Sequence, residues 1–397
     1  MSHPRIFSTS CHTAADPVRA VVTEGIAEID AHDWNALVGD RYPYLRHEFL
    51  LAAERSGCVS PHTGWSPRHI GLYDDKNNLL GAMPLYEKSH SWGEFVFDWS
   101  WAQAYRQAGL DYYPKLVSAA PFTPAPSGRL FVAEPQLKPL LIQAALAYAS
   151  ECDHSSLHVL FPRDGELAVL EDAGLQLRKD CQFHWHNDNY RSFDEFLGTF
   201  SSRKRKKVRR DRRHVREAGI RFRWLTGREL DAAIWSDVYQ LISLTFLRRG
   251  SMPYFSYDFF VEVSQRMPQN ILVILAEQNR APTAAAVFFV SEDVLYGRYW
   301  GSDSQYNALH FETCYYQGID YCIANRKKIF EPGTQGEHKI SRGFTPVSTW
   351  SAHWLARPEF FAAVSNYLEA EGRHINRYID AVNTHSPYKS RQAGQAE

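Results

Sequence analysis

Ten Lys and Arg residues and one acid fall between Arg203 and Arg216, a local charge of +9 in a chain that elsewhere carries 34 basic against 44 acidic residues. So dense a run of cations repels itself unless an anion lies against it. Arg203, Lys204, Arg205, Lys207, Arg209, Arg210 and Arg213 are therefore candidate contacts to the phosphates of a donor, either a nucleic-acid backbone or a polyphosphate cofactor. A solvated charged helix and a nuclear localisation signal are the other readings of such a run. A second cluster lies in the segment from Phe330 to Trp354, where Glu337, His338, Lys339, Arg342 and His353 crowd a Gly- and Ser-rich loop. Polar loops this dense in titratable groups are site loops more often than core. If the loop is extended, Glu337, Lys339 and Ser341 share one face and bring acid and base together.

A third candidate is Glu312, which with His310 opens a helix directly after the strand VLYGRYWG, near Tyr299 and Trp300. A carboxylate there can take the proton of an attacking amine, or simply complement the helix dipole. Aminolysis of an acyl ester needs that proton acceptor together with cations for the developing oxyanion, roles that fall to Glu312, Glu337, His338, Lys339 and Arg342. Tyr112, Tyr113, Lys115 and Arg129 sit among prolines and read either as a substrate-binding rim or as a structural loop; His310, Tyr299, Trp300 and His353 complete the expected substrate contacts. Two sets have metal-ligand chemistry, Cys181–His184–His186–Asp188 and Glu337–His338–His353, but no HExxH-like spacing supports them and no metal is expected. GxGxxG, Walker A and GxSxG are all absent, which argues against a Rossmann oxidoreductase, a P-loop NTPase and an α/β-hydrolase.

These groups need a scaffold. The chain has 397 residues, 44% hydrophobic and 22% charged, enough for two cores and too apolar for disorder. Its cysteines (Cys11, Cys58, Cys152, Cys181, Cys314 and Cys322) are scattered and read as free thiols of a reducing compartment. The N-terminus lacks an apolar signal core, and apolar runs such as ILVILA from Ile271 fall short of the roughly 20 residues of a membrane span. A cytoplasmic protein without membrane insertion or an obligate protein partner is expected. Asp30 caps a helix, DDKNN turns a hairpin between Arg68 and Lys88, and Gly174 and Gly219 stop helices. Strands and helices alternate in both halves, which predicts mixed α/β architecture. The expected domains are 21–185 and 186–384, the second holding the chemistry, between loose segments 1–20 and 385–397.

The segments YYPKLVSAAPFTP, SSRKRKKVRRDRR, LYGRYWG with LHFETCYYQGIDYCI, and FEPGTQGEHKISRGFTPVSTWSAHW together resemble the FemAB-like N-acyltransferase family, linked to peptidoglycan biosynthesis. The resemblance runs from about Glu28 to Asp380. It implies two tandem GNAT-type folds and transfer of an amino acid from aminoacyl-tRNA to an amine. The long helical arm of some cell-wall members has no counterpart here. A GNAT enzyme that uses acyl-CoA cradles the pyrophosphate in a Gln/Arg-x-x-Gly-x-Gly/Ala loop. The matching GSDSQYNALHFE has Gln305 and Ala308 but no glycine pair, so side chains of the basic helix would have to hold the donor. The expected function is N-acyl transfer to an amine acceptor, with aminoacyl-tRNA as co-substrate and no tightly bound cofactor. The alternatives are an acyl-CoA-dependent N-acyltransferase on a small molecule and a non-catalytic double-GNAT protein that binds tRNA or another polyanion.

Overall fold

A computed structural model describes residues 5–7, 18–303, 306–334 and 336–389; Cys11 and Gln305 lie outside them. The chain divides into two compact units. Unit 1 comprises Met1–Asp180, Tyr254–Val263 and Ser348–Ile375, and unit 2 comprises Cys181–Pro253, Ser264–Val347 and Asn376–Glu397. Unit 1 thus takes in two segments from the second half of the sequence, which local pattern does not reveal because periodicity reports only nearby residues.

In unit 1 an antiparallel sheet runs through Arg5–Phe7, Arg19–Thr23, His69–Tyr73, Leu79–Met83 and Phe131–Val132. The expected hairpin is its centre, with Ile70 opposite Met83 and an Asp74 side chain closing the turn onto Asn78. Asp30 caps its helix through His32 and Asp33 N–H groups, as the sequence predicts. A further set of strands places Tyr86–Lys88 against Lys115–Ser118, which runs parallel to Ser156–Leu160. The apolar helix Lys138–Glu151 packs Leu141, Ile142 and Tyr148 into this unit's core.

In unit 2 the strands Ile220–Thr226, Ile271–Gln278, Ala281–Val290 and Val294–Ser302 form an antiparallel meander. Ile271–Ala276 and Thr283–Val290 are buried along their length, which explains their continuous apolar runs. Val294–Ser302 then pairs in parallel with the short strand Ile329–Glu331, in register only from Val294↔Ile329 to Tyr296↔Glu331. A bulge opposite Val287 and Phe288 leaves Arg298 unmatched in the register and bends the strand just past that pairing. The re-aimed Arg298 side chain meets buried Glu331 at 3.1 Å. Trp185, Phe196, Leu272, Phe288, Ile319, Phe330 and Phe344 form the core beneath.

Candidate functional site

The helix Ser202–Glu217 forms because straight-chain Lys and Arg are good helix formers and because Val208, Asp211 and Val215 give it a narrow buried stripe. Gly219, at φ +75, ends it. Two anchors hold this cationic rod against unit 2. Arg212 lies over the Phe193 ring at 4.2 Å and reaches Glu312 at 3.1 Å and Asp320 at 2.6 Å. Asp211, the single acid of the run, accepts from the Tyr316 hydroxyl at 3.1 Å and faces Arg342 at 3.9 Å.

Glu312 begins a π-helical turn, Glu312–Tyr316, inserted between Leu309–Phe311 and Gln317–Ala324. The wide turn departs from ordinary helical spacing, a distortion often found at functional positions. Gln317 donates to Glu312 Oε1 at 2.9 Å and is itself held by Trp224 Nε1 at 2.9 Å. Glu312 Oε2 is buried and has no partner among the described residues. Burial lifts the Glu312 carboxyl above its ordinary range, even against the pull of Arg212. It is a fixed carboxylate with one oxygen open to accept a proton.

Two cavities flank the basic helix. The larger, about 1540 Å³, is lined by Arg203, Lys204, Lys207, Arg209, Arg210 and Arg213 of the expected phosphate contacts, and by Glu312 and Gln317. Arg205 does not line it, whereas Lys206, Arg212, Arg216 and Arg221 do. The smaller, about 600 Å³, joins Lys207, Arg210 and His214 to Asn307, Phe311, His338, Ser341 and Arg342. Lys207 and Arg210 belong to both.

The loop after Phe330 departs from the extended form expected of it. Glu337–Arg342 is a 3₁₀ turn, entered through Gly336 at φ +118 and left through Gly343 at φ +95, values that favour glycine. The turn disperses the side chains that an extended strand would have aligned. Glu337 points away to the Tyr378 hydroxyl at 2.9 Å and lines neither cavity. Lys339 is buried, donates to the Gly333 carbonyl at 2.6 Å, and is lowered to about 7 by burial. His338 accepts or donates at Tyr315 Oη, 2.9 Å away, and Arg342 lies 3.3 Å above the Phe311 ring with Nη1 donating to the His338 carbonyl at 2.6 Å. His310 packs between Trp300, Phe311 and Tyr315 and is lowered to about 4, chiefly by burial. Tyr299 is buried beside Phe246.

Tyr112, Tyr113, Lys115, Arg129 and His353 belong to unit 1, and four of them lie in its interior instead of forming an open rim. Lys115 binds Glu94 at 2.8 Å and Asp98; Tyr112 donates to Asp98 at 2.7 Å and meets His158 at 3.0 Å. His158 and His353 share a 2.7 Å Nδ1–Nδ1 contact, and Arg129 donates to the Leu160 carbonyl at 2.9 Å. Tyr113 is half-buried against Ser91 at 2.8 Å. Pairing of adjacent strands and burial make this a closed polar network. Among the described residues the one grouping with metal-ligand spacing is the exposed Asp30–His32–Asp33; the sets around Cys181 and His338 do not gather. His184 is buried against Gln182 at 3.1 Å.

Sequence reasoning missed Arg212, Asp320 and Gln317. Arg212 follows Val208 by one helical turn and so lies at the edge of the buried stripe, a signal that marks it off from its solvated neighbours. Asp320 and Gln317 stand eight and five residues beyond Glu312, and the π turn makes their meeting with it unreadable from ordinary spacing.

The family model described as peptidoglycan biosynthesis/recognition, FemAB-like, matches residues 25–390. The chain belongs to the FemAB-like family. No curated protein matches it in sequence. Among solved structures, the C-terminal domain of a protein described as a lysylphosphatidylglycerol synthetase, from Agrobacterium fabrum, is 11% identical with a TM-score of 0.51, covering 86% of this chain and 96% of that one. FemX is likewise 11% identical with a TM-score of 0.51, covering 85% and 98%. A tandem GNAT protein from the clavulanic acid pathway is 11% identical at a TM-score of 0.46, covering 86% and 99%. The FemAB-like chain has the mixed α/β, tandem GNAT-type fold expected of it. Among the described residues, no helix is long and apolar enough to cross a membrane.

Proposed function

We propose that this FemAB-like chain is an N-acyltransferase of peptidoglycan-related biosynthesis, moving an aminoacyl group from aminoacyl-tRNA to an amine. The observation that carries this reading is the pairing of a strongly cationic helix with a buried carboxylate, Glu312, in the wall of one cleft. One oxygen of Glu312 anchors the helix through Arg212, while the other, Oε2, has no partner among the described residues and supplies the proton acceptor that aminolysis of an ester needs. An ester of a nucleic acid also suits a cradle of side chains better than a glycine loop.

In this reading the cleft arginines and lysines hold donor phosphates, in the region expected as the second domain, 186–384. The acceptor nitrogen attacks the ester carbonyl and a C–N bond forms. Its surplus proton passes to Glu312 Oε2 and then to the departing ribose oxygen as the C–O bond breaks. Gln317 and Arg212 keep Glu312 aimed, and the cations of the cleft offer positive charge to the developing oxyanion. Glu337, which lines neither cavity and accepts from the Tyr378 hydroxyl, has no part in the step.

The test supplies aminoacyl-tRNA and acyl-CoA separately with a pool of amine acceptors and reads amide products by mass spectrometry. Amide formation from aminoacyl-tRNA is expected, and Glu312→Gln should lower turnover by about a hundredfold or more while tRNA binding persists. Consumption of neither donor, or unchanged turnover in Glu312→Gln, would overturn the proposal.

A further inference from the structure

We propose that the smaller cavity of unit 2 is an acceptor site for a compact amine-bearing oxyanion, a small molecule or chain end with a carboxylate or phosphate close to its amine. The inference rests on the acyltransferase reading for the word acceptor, but the site itself stands on the cavity's chemistry.

Size comes first. At about 600 Å³ the cavity falls within the roughly 300–1,000 Å³ typical of small-ligand sites, whereas the 1540 Å³ cleft on the other flank suits an extended polyanion. Its walls are built for an anion. Lys207, Arg210 and Arg342 bring three cations, and Ser341, Asn307 and His214 add hydrogen-bonding groups. Arg342 is the decisive member. Its side chain is 3% exposed, clamped over Phe311 and tied at Nη1 to the His338 carbonyl and to Ser341 Oγ, yet its Nε is buried without a partner. A buried donor without a partner keeps its desolvation cost until an acceptor reaches it. The guanidinium is already oriented, so little is lost in ordering it.

Asp211 supplies the other half of the recognition. Held by the Tyr316 hydroxyl, it puts a fixed negative charge into the same wall as the three cations. A bare anion leaves Asp211 without a partner among the ligand's groups, while a ligand with an amine beside its anion meets a partner for each. The site also adjoins the chemistry. Phe311 lines the small cavity and Glu312, the next residue, lines the large cleft, with Lys207 and Arg210 shared between them. An amine anchored by its neighbouring oxyanion would thus be presented toward the proposed proton acceptor.

Calorimetric titration of the full chain at low salt tests this with glycine and phosphoethanolamine as amine-bearing probes, and with acetate and inorganic phosphate as their amine-free counterparts. At least one amine-bearing probe should bind saturably, tighter than its counterpart by about tenfold, and the better of the two names carboxylate or phosphate as the anion. Arg342→Gln should weaken that binding tenfold or more. His214→Ala with Ser341→Ala, both at partly exposed positions, covers the case in which Arg342→Gln fails to fold and should weaken it at least threefold. Arg213→Ala with Arg216→Ala, in the large cleft alone, should change it less than twofold. Absence of saturable binding, equal binding of amine-free anions, or equal sensitivity to the large-cleft pair would overturn the proposal. Binding is read without turnover, so inactivity with every donor would strike the acyltransferase reading and leave this site standing.

Discussion

Arg212→Gln removes the cation shared by Glu312 and Asp320 and leaves both carboxylates without it. Breaking a fully buried ion pair costs about 3–5 kcal/mol, because an uncompensated charge stays behind. Here the Arg212 and Asp320 side chains are 26% and 25% exposed while Glu312 is 4% exposed, so water softens the loss to about 2–3 kcal/mol at pH 8. The pH dependence gives the sharper test. Glu312 already has a raised pKa from burial, and losing Arg212 raises it further. A carboxyl raised in the folded state binds more protons folded than unfolded, so stability falls as pH rises above the unfolded value of about 4.3. The deficit of Arg212→Gln should therefore shrink by about 1 kcal/mol or more between pH 8 and pH 5, since a tenfold change in proton affinity is worth about 1.4 kcal/mol. Arg212→Lys should fall between, since an ammonium cannot span two carboxylates as a fork does. Urea unfolding followed by circular dichroism measures all of this. In a Glu312→Gln background the cost of Arg212→Gln should fall, because less buried charge is stranded. A deficit equal at pH 5 and pH 8, and unchanged in that background, would refute the claim that Arg212 holds Glu312 ionised.

Arg203, Arg209 and Arg213 changed together to Ala should weaken tRNA binding and flatten the slope of log affinity against log salt by about 2–3, read by filter binding across salt concentrations. In unit 1, burial lowers both His158, to about 3, and His353. The unfolded chain takes up those protons first, so their contribution is whole above about pH 6.5 and is lost as pH falls below it; His353→Gln should reduce the drop in urea midpoint between pH 7 and pH 5. Gly301→Ala should abolish folding of unit 2, because its Cβ would lie 2.1 Å from the Leu241 backbone carbonyl; loss of soluble expression or of near-UV dichroism reports it, while Gly372→Ala, inside the helix Pro358–Asn383 with open space at its Cβ, should stabilise by about 0.5–1 kcal/mol.

Local chemistry in the sequence was enough to specify the capped helix at Asp30, the hairpin around Asp74, the buried strands from Ile271 and the cationic helix from Ser202. Each depends on neighbours a few residues apart, and a 3.6 or 2 residue period reports such neighbours directly. The cations of that helix, and the place of Glu312 at the head of the helix after VLYGRYWG, were legible for the same reason. What the tertiary structure decided is which groups meet. Arg212 was indistinguishable from nine other cations by type, and only the packing of the helix against the π turn gives it Glu312 and Asp320. Glu337 and Lys339 looked like a pair on an extended segment, but a 3₁₀ turn between two left-handed glycines sends one to Tyr378 and buries the other. Lys115 and Tyr112 looked like a rim because prolines and aromatics surround them, yet Glu94, Asp98 and His158, up to 46 residues away, close over them. Sequence spacing constrains side chains on one element; which faces of different elements come together follows from burying the apolar stripes of all of them at once, and no local pattern encodes that.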